Sequence, residues 1–193
     1  IEGTYDHKMG IKEGGNLLIS GGTGPMGLLA IDYALHGDIK PKNIVITDVN
    51  EERLKRASEL YKTEGAVKVH YVNTAKIDDV VAHLKETAGG GYDDVFIFAP
   101  VPELVTQGSK ILNPDGCLNF FAGPGDPNFS ATLNFYNVHY AYTHIVGTSG
   151  GNTNDMREAI AMMNEGRINP AVMITHVGGL DACAETTMHL PEI

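Results

Sequence analysis

The sequence predicts an α/β fold with a doubly wound parallel sheet. Six short apolar segments alternate with stretches of helical periodicity, which is typical of parallel strands joined by crossover helices. The first apolar segment runs directly into a glycine-rich turn and a helix. The fourth, residues 94–99, is an apolar run of the kind expected for a central strand that is covered on both faces. No internal repeat or low-complexity tract interrupts this alternation.

A glycine-rich turn follows the first predicted strand. Gly22, Gly24 and Gly27 fit the spacing G-x-G-x-x-G, in which each glycine has a separate task. The first permits a tight turn, the second lets a pyrophosphate approach the backbone, and the third lets the helix pack closely on the strand. Pro25 suits the first helical turn, because its missing N–H is not needed there. The pattern indicates an anion site at the positive end of a helix.

An acidic residue ends the second predicted strand, residues 43–47. Asp48 lies 21 residues after Gly27, close to the spacing at which a carboxylate meets a ribose hydroxyl in dinucleotide sites. A glycine turn by itself can serve only as a tight connection, but strand, turn, helix, strand and acid occur here in the expected order. We therefore predict a dinucleotide site on a Rossmann fold with strand order 3-2-1-4-5-6.

The remaining segments supply the other elements of this fold. Strands are predicted at residues 16–20, 43–47, 67–72, 94–99, 117–121 and 143–147, with a further strand at 173–177. Helices are predicted at residues 25–36, 48–61, 77–88, 102–112 and 152–165, while 134–142 is ambiguous. In the last helix, the residues expected to face the core are Met156, Ile160 and Met163. Four strands end in small or polar residues, at the edge where ligands of such sheets bind.

Composition limits the class of protein. The 193 residues suit one domain that can withdraw roughly 70% of its unfolded surface from water. The formal net charge of −10 disfavours nucleic-acid and acidic-membrane partners, because these need clustered lysine and arginine. No apolar stretch of about 18 residues and no signal-peptide pattern occurs, so we expect a cytoplasmic protein. The chain begins at Ile1 without a methionine, and we expect a piece of a longer protein.

The cysteines and histidines do not suggest a metal site. Cys117 and Cys183 lie 66 positions apart with no C-x-x-C near either, so we expect buried free thiols. His139 and His144 flank the ambiguous segment, but on a helix their spacing would place them about 140° apart. The other histidines have no ligand-like neighbours in the pattern. We therefore predict that this chain binds no metal ion.

The chain resembles the cofactor domain of the medium-chain, zinc-type alcohol and polyol dehydrogenases. The resemblance covers nearly all of the chain and depends on residues 22–28 (GTGPMGL), 48–54 (DVNEERL), 112–116 (LNPDG) and 145–170, where IVGT precedes a helix ending NEGRINP. The Pro25-Met26 pair and the following Asp32-Tyr33 are similar to the sugar-phosphate branch of that family, which includes L-sorbose-1-phosphate reductases. The resemblance implies that residues 1–193 are a single NAD(P)-binding Rossmann domain of a longer, two-domain dehydrogenase.

The resemblance also implies roles for residues at the carboxyl edge of the sheet. Asp48 would hold the adenosine ribose, and Arg53 would lie near the adenine. Because a carboxylate repels a 2′-phosphate, NAD is favoured over NADP, although Arg53 keeps NADP possible. The full set of expected cofactor-binding residues is Gly22, Gly24, Pro25, Met26, Gly27, Asp48 and Arg53, with Pro100, Val101, Gly123 and Pro124 around the nicotinamide. In this family the catalytic zinc has Cys, His and acidic ligands, mostly from a segment before the Rossmann unit, so zinc is expected in the complete enzyme but not in this chain.

The predicted function is that of the nicotinamide-binding domain of an oxidoreductase, which transfers hydride between NAD(P) and an alcohol, polyol or sugar phosphate. We expect no catalytic residue in this chain, no activity without the missing catalytic domain, and a homo-oligomer. Two alternatives remain open: a zinc-free, quinone-reductase-like oxidoreductase, and a non-catalytic module that senses NAD. A methyltransferase-like fold is disfavoured by the proline in the turn. A short-chain dehydrogenase is disfavoured because no Tyr-x-x-x-Lys occurs.

Overall fold

The computed structural model describes residues 10–147 and 149–190. The strands in these residues are β1 (Asn16–Ser20), β2 (Asn43–Asp48), β3 (Lys68–Asn73), β4 (Tyr92–Ile97), β5 (Leu112–Phe120) and β6 (His144–Gly147). The α-helices are α1 (Pro25–His36), α2 (Glu51–Leu60), α3 (Val80–Ala88), α4 (Pro102–Ile111), α5 (Phe135–Tyr140), α6 (Thr153–Asn164) and α7 (Cys183–Met188). Short 3-10 helices lie at Thr74–Lys76, Pro170–Met173 and Leu180–Ala182.

The strands form one sheet in the order β3-β2-β1-β4-β5-β6, and all neighbouring pairs are parallel. The fold predicted from the sequence, a doubly wound parallel sheet with order 3-2-1-4-5-6, is confirmed. β1 pairs with β2 on one side and with β4 on the other, so the strand order reverses between β1 and β4. In open α/β sheets, this reversal creates a crevice beyond the carboxyl ends of the strands.

Successive side chains of the central strands point to opposite faces of the sheet, and a hydrophobic layer forms on each face. Leu17 and Ile19 of β1 join the layer that contains α1 and α2 residues, whereas Leu18 joins the layer that contains α3 and α4 residues. All three leucine and isoleucine side chains are at most 2% exposed. The predicted apolar stripe of α1 is buried as well, at Leu28, Ile31 and Leu35. Burial on both faces explains why the central strands are apolar runs.

Helix α6 is rotated relative to the prediction. The three residues expected to face the core are 61%, 55% and 38% exposed, namely Met156, Ile160 and Met163. The neighbouring Met162 is 3% exposed and packs inward instead. The hydroxyl of Tyr33 on α1 donates a hydrogen bond to Glu158 Oε1 at 2.9 Å. The burial of Met162 and the bond of Glu158 fix the rotation of the helix about its axis, and the predicted stripe is left exposed.

The additional strand predicted at residues 173–177 is wrong. Pro170–Met173 is a 3-10 helix, and residues 174–179 have no regular secondary structure. The backbone N–H of Asn169 donates to Asp32 Oδ2 at 2.9 Å, and Arg56 Nη2 donates to the Val172 carbonyl at 2.9 Å. These bonds hold the segment against α1 and α2, where no strand edge is available for pairing.

The predicted start of the fifth strand at residue 117 and the predicted burial of both thiols also need correction. β5 begins at Leu112, and residues 113–116 lie within it as an irregular stretch where its register with β4 shifts. Asp115 there has a positive φ of 63°. The ambiguous segment 134–142 contains α5. Cys117 is buried as expected, whereas Cys183 is exposed because α7 has no buried residue. No helix of the described residues is long and apolar enough to cross a membrane.

Candidate cofactor site

Two glycines of the turn are required by packing between the turn and the helix. A Cβ added at Gly27 would lie 2.2 Å from the Gly22 carbonyl oxygen, which is far inside van der Waals contact. A Cβ added at Gly22 would lie 2.7 Å from Cγ2 of Ile19 and 2.9 Å from Cγ2 of Ile46. The Gly22 N–H donates to the Thr47 carbonyl at 3.1 Å, which joins the turn to the end of β2. Both glycines therefore serve the fold itself.

Gly24 differs from these two glycines. Its φ of −75° and ψ of 174° are extended backbone angles that any residue can adopt. A Cβ added there would meet no heavy atom within 4 Å. Nothing in the described structure therefore requires glycine at this position, and the open space beside it fits the close approach of a pyrophosphate to the backbone.

The amino end of α1 is open to an anion. Gly24 is its N-cap and supplies no side-chain hydrogen bond, and Pro25 occupies the first helical position. The first N–H groups of a helix have no intrahelical acceptor, which leaves those of Met26 and Gly27 for an external partner. The aligned peptide dipoles add a partial positive charge at the same end. This arrangement can bind phosphate oxygens.

Asp48 and Thr23 meet at the ends of β2 and β1. Thr23 is 5% exposed, and its hydroxyl donates a hydrogen bond to Asp48 Oδ2 at 2.5 Å. Asp48 Oδ1 accepts hydrogen bonds from the N–H groups of Val49 and Asn50, at 2.8 and 3.0 Å. These three bonds hold the carboxylate beside the glycine turn. Each carboxylate oxygen has further lone pairs, so the group can still accept hydrogen bonds from a ligand.

The predicted nicotinamide-lining residues follow β4 and β5 at the same edge of the sheet. The Phe98 N–H donates to the Ser20 carbonyl at 2.9 Å, and the Ala122 N–H donates to the Ile97 carbonyl at 3.0 Å. The first bond holds the chain after β4 beside the end of β1, and the second holds the chain after β5 beside the end of β4. Directly after them come the predicted pairs Pro100-Val101 and Gly123-Pro124. Val101 is 44% exposed at the N-cap of α4, and a Cβ added at Gly123 would meet nothing within 4 Å.

Arg53 lies in the first turn of α2 and is exposed. Its backbone N–H donates to Asn50 Oδ1 at 3.0 Å, which caps the helix. Its guanidinium group makes no hydrogen bond or ion pair with another group in the described part of the chain. The structure therefore leaves this group available at the same end of the sheet as Asp48.

Sequence reasoning missed two features beside the turn. The first is Thr23, whose contact with Asp48 spans 25 residues and has no signature in the sequence. The second is a mostly apolar cavity of about 480 Å³ beside Met26, which is lined on the sheet side by Phe96, Phe98 and Phe121. The rings of Phe98 and Phe121 make an edge contact, with centroids 5.6 Å apart. Phenylalanine at alternate positions 96 and 98 was the available signal for one aromatic face.

The described residues contain no group of three or more His, Cys, Asp or Glu side chains that could hold a metal ion. Two histidines nevertheless have carboxylate neighbours. His36 Nδ1 lies 2.7 Å from Asp32 Oδ1, and His36 Nε2 lies 3.1 Å from Glu64 Oε2. His144 Nε2 lies 2.7 Å from Asp115 Oδ1. The expectation that His36 has no ligand-like neighbour is therefore wrong. The i, i+4 spacing of Asp32 and His36 on a helix was the signal that could have revealed one pair.

A parallel sheet in this order, with a glycine turn and an acid at the ends of its first two strands, defines a Rossmann-type domain. The sequence profile of the zinc-binding dehydrogenases matches residues 25–165. The chain belongs to this family.

Relatives within the family match the whole chain. It is 53% identical over 194 aligned residues to L-sorbose 1-phosphate reductase from Klebsiella pneumoniae, covering 100% of this chain and 47% of the relative. It is 50% identical to mannitol-1-phosphate 5-dehydrogenase from Aliivibrio fischeri, covering 98% of this chain and 46% of the relative. The chain therefore spans about half the length of these curated relatives.

Solved structures share the fold at lower sequence identity. An alcohol dehydrogenase from Escherichia coli CFT073, solved in complex with NADH, aligns with a TM-score of 0.73 at 19% identity, covering 93% of this chain and 49% of that chain. A zinc-binding dehydrogenase from Sinorhizobium meliloti 1021, solved bound to NADP, aligns with a TM-score of 0.74 at 22% identity, covering 92% of this chain and 49% of that chain.

Proposed function

We propose that this chain is the dinucleotide-binding domain of an oxidoreductase that transfers hydride between NAD(P) and an alcohol, polyol or sugar phosphate. The observation that carries the proposal is the open position at Gly24, where neither backbone conformation nor packing requires glycine. A pyrophosphate needs this space in order to reach the backbone. Membership of the zinc-binding dehydrogenases and the NADH and NADP complexes of two fold neighbours support the same function.

The phosphates and the adenosine half would be held by the ends of β1 and β2. The N–H groups of Met26 and Gly27 would donate hydrogen bonds to phosphate oxygens at the positive end of α1. Asp48, oriented by Thr23, would accept hydrogen bonds from the hydroxyls of the adenosine ribose. Arg53 would lie beside the adenine. The apolar surface of Met26 next to the turn would exclude water from this half of the site.

The nicotinamide half would lie over the ends of β4 and β5, beside Pro100, Val101, Gly123 and Pro124. The bound nicotinamide supplies the hydride chemistry. The role of this chain is to bind the cofactor, orient its ring and shield one side of it from water. No group of this chain is assigned to the transfer of a proton or to the binding of zinc.

The preferred cofactor would be NAD rather than NADP. The Asp48 carboxylate lies beside the glycine turn, where an adenosine ribose would be held, and its charge would repel a 2′-phosphate. The unpaired guanidinium of Arg53 is the one described feature at this edge that would favour NADP, and it is exposed to solvent. We therefore propose NAD as the main cofactor.

The complete protein would be a polyol or sugar-phosphate dehydrogenase. The names of the two relatives quoted, at 53% and 50% identity over essentially the whole chain, support a phosphorylated polyol or sugar as substrate. Residues 1–193 would be one domain of a longer chain whose other domain holds the zinc and the catalytic groups. This chain alone would be inactive. We further propose a cytoplasmic homo-oligomer.

The test is a calorimetric titration of this chain with NADH and with NADPH, repeated with Asp48→Ala. We expect tighter binding of NADH, and about tenfold weaker NADH binding in the variant, because a charge-assisted hydrogen-bond acceptor is lost. The matched control is Glu86→Ala, which removes an exposed carboxylate near the end of α3, away from the carboxyl edge of the sheet. Failure of the folded chain to bind either cofactor, or an equal loss in both variants, would overturn the proposal.

A further inference from the structure

A second cavity lies at the opposite edge of the sheet from the glycine turn. It has a volume of about 660 Å³ and is bounded by the last turn of α1, the residues after α2 and the return segment 166–172. We call it the α1–α2 cavity. Both helices end here and lead into the amino ends of β2 and β3, so the cavity is separate from the proposed cofactor site. Its volume is in the range of small-molecule sites.

The acidic groups in the wall of the α1–α2 cavity are already engaged. Asp32 is 2% exposed, and its two carboxylate oxygens lie 2.7 Å from His36 Nδ1 and 2.9 Å from the Asn169 N–H. Glu64 Oε2 lies 3.1 Å from His36 Nε2. His36 thus lies between the two carboxylates, with one ring nitrogen near each.

The lysines of the same wall are free. Lys40 and Lys62 line the cavity and are exposed, and neither makes an ion pair or a side-chain hydrogen bond with any described residue. Arg167 also lines the cavity, but its guanidinium is already paired: it donates to the His36 carbonyl at 2.8 Å and to Asp38 Oδ1 at 2.7 Å, and Nη1 lies 3.4 Å from Glu165 Oε2. Two lysines without a charged partner among the described residues therefore line one cavity, in a chain whose net charge is −10.

The floor of the cavity combines apolar and hydroxyl surface. Leu35 and Val172 contribute apolar area. Tyr61 is 6% exposed, and its hydroxyl is buried beside the Asp32 carboxylate. Burial and the nearby Asp32 carboxylate raise the pKa of Tyr61 to about 12, so the phenol stays protonated.

We propose that the α1–α2 cavity binds a small phosphate ester, with its dianionic phosphate between the ammonium groups of Lys40 and Lys62. Two cations match the charge of a phosphate dianion, and ammonium groups bind phosphate as point charges. The apolar and hydroxyl floor suits a short, hydroxylated carbon chain. The cavity is too small for a polymer, and the net charge of the chain disfavours nucleic acid. This site goes beyond the proposed function, because it does not overlap the cofactor edge.

The test is a calorimetric titration of the chain with D-glucitol 6-phosphate, in the presence of saturating NADH to block the glycine turn. Glucitol serves as the uncharged probe and inorganic phosphate as the bare anion. We expect saturable binding of the phosphate ester and none of glucitol. The double variant Lys40→Gln/Lys62→Gln should bind the ester at least about tenfold more weakly while its affinity for NADH is unchanged. The absence of saturable binding up to about 10 mM would overturn the proposal.

The matched control is Lys85→Gln/Lys110→Gln, which removes two exposed lysines without ion pairs on α3 and α4. An equal loss in this control would show a general charge effect and would refute the site. Amide chemical shifts of the unmodified chain give a second readout, because the ester should perturb His36, Lys62 and Arg167. Perturbation confined to the glycine turn would overturn the proposal. Since NADH binding is measured separately, failure of the cofactor proposal can be distinguished from failure of this one.

Discussion

The substitution Gly24→Val tests whether the glycine at this position is needed for ligand binding rather than for folding. The φ and ψ of Gly24 are accessible to valine, and the residue precedes a proline, where extended backbone is favoured. A Cβ there would meet no heavy atom within 4 Å, so the variant should fold. Valine is a poorer N-cap than glycine, and we expect a loss of at most about 1 kcal/mol in the free energy of unfolding.

The same substitution should weaken NADH binding much more than it affects folding. The valine side chain would fill the space through which a pyrophosphate reaches the N–H groups of Met26 and Gly27. A hydrogen bond to a charged group contributes about 1.5 kcal/mol or more. Loss of two such bonds amounts to about 3 kcal/mol, which corresponds to about 150-fold weaker binding.

The assay is calorimetric titration with NADH, paired with urea unfolding of the same preparations. Gly90→Val is the matched control, because Gly90 is equally open but lies at the amino edge of β4. We expect the control to bind NADH like the unmodified chain. A folded Gly24→Val variant that binds NADH within about twofold of the unmodified chain would refute the assignment of the turn as a phosphate site.

Three further substitutions test other parts of the structure. Thr23→Val removes the hydroxyl that orients Asp48 and should weaken NADH binding about fivefold, for a hydrogen bond of about 1 kcal/mol; unchanged affinity would exclude this role. Gly27→Ala places a Cβ 2.2 Å from the Gly22 carbonyl oxygen and should lower the free energy of unfolding by about 1–3 kcal/mol. An unchanged midpoint of urea unfolding would contradict the packing described. Burial raises the pKa of Asp94 to about 6, above its unfolded value, so its contribution to stability is present below about pH 4 and is lost as the pH rises through 6. As the pH rises from about 4 to about 7, the free energy of unfolding of Asp94→Asn should therefore increase by about 2–3 kcal/mol relative to that of the unmodified chain. A pH-independent difference between the two would contradict this result.

Most of the fold could be predicted from local signals in the sequence. Residues 16–20 form a strand because they are a short apolar run, and helix α1 begins at Pro25 because the glycine turn and the proline permit a sharp entry. The sheet order followed because crossover connections leave few topologies once six strands alternate with helices. The predictions failed where an element depends on a distant partner. Residues 173–177 have strand-like composition, but bonds to Asp32 and Arg56 draw the preceding segment onto helices.

The candidate site, like the fold, could be predicted only in part from the sequence. The spacing of Gly22, Gly24 and Gly27 and the position of Asp48 were readable from the sequence, because a dinucleotide site of this kind is built within one strand, turn, helix and strand. That Gly22 and Gly27 are fixed by packing while Gly24 is open depends on where Ile19, Ile46 and the helix backbone lie in space. The distances from the glycines to these groups cannot be derived from the spacing of the glycines in the sequence.

The sequence by itself determined the order of the strands, the glycine turn and the acid that follows the second strand, because each depends on residues close together in the chain. Only the tertiary structure decided that Thr23 holds Asp48 across 25 residues, that Met162 rather than Met163 is buried, and that Lys40 and Lys62 share a cavity. The physical reason is that these contacts form between elements whose relative rotation and separation are set by packing of the whole sheet and its helices.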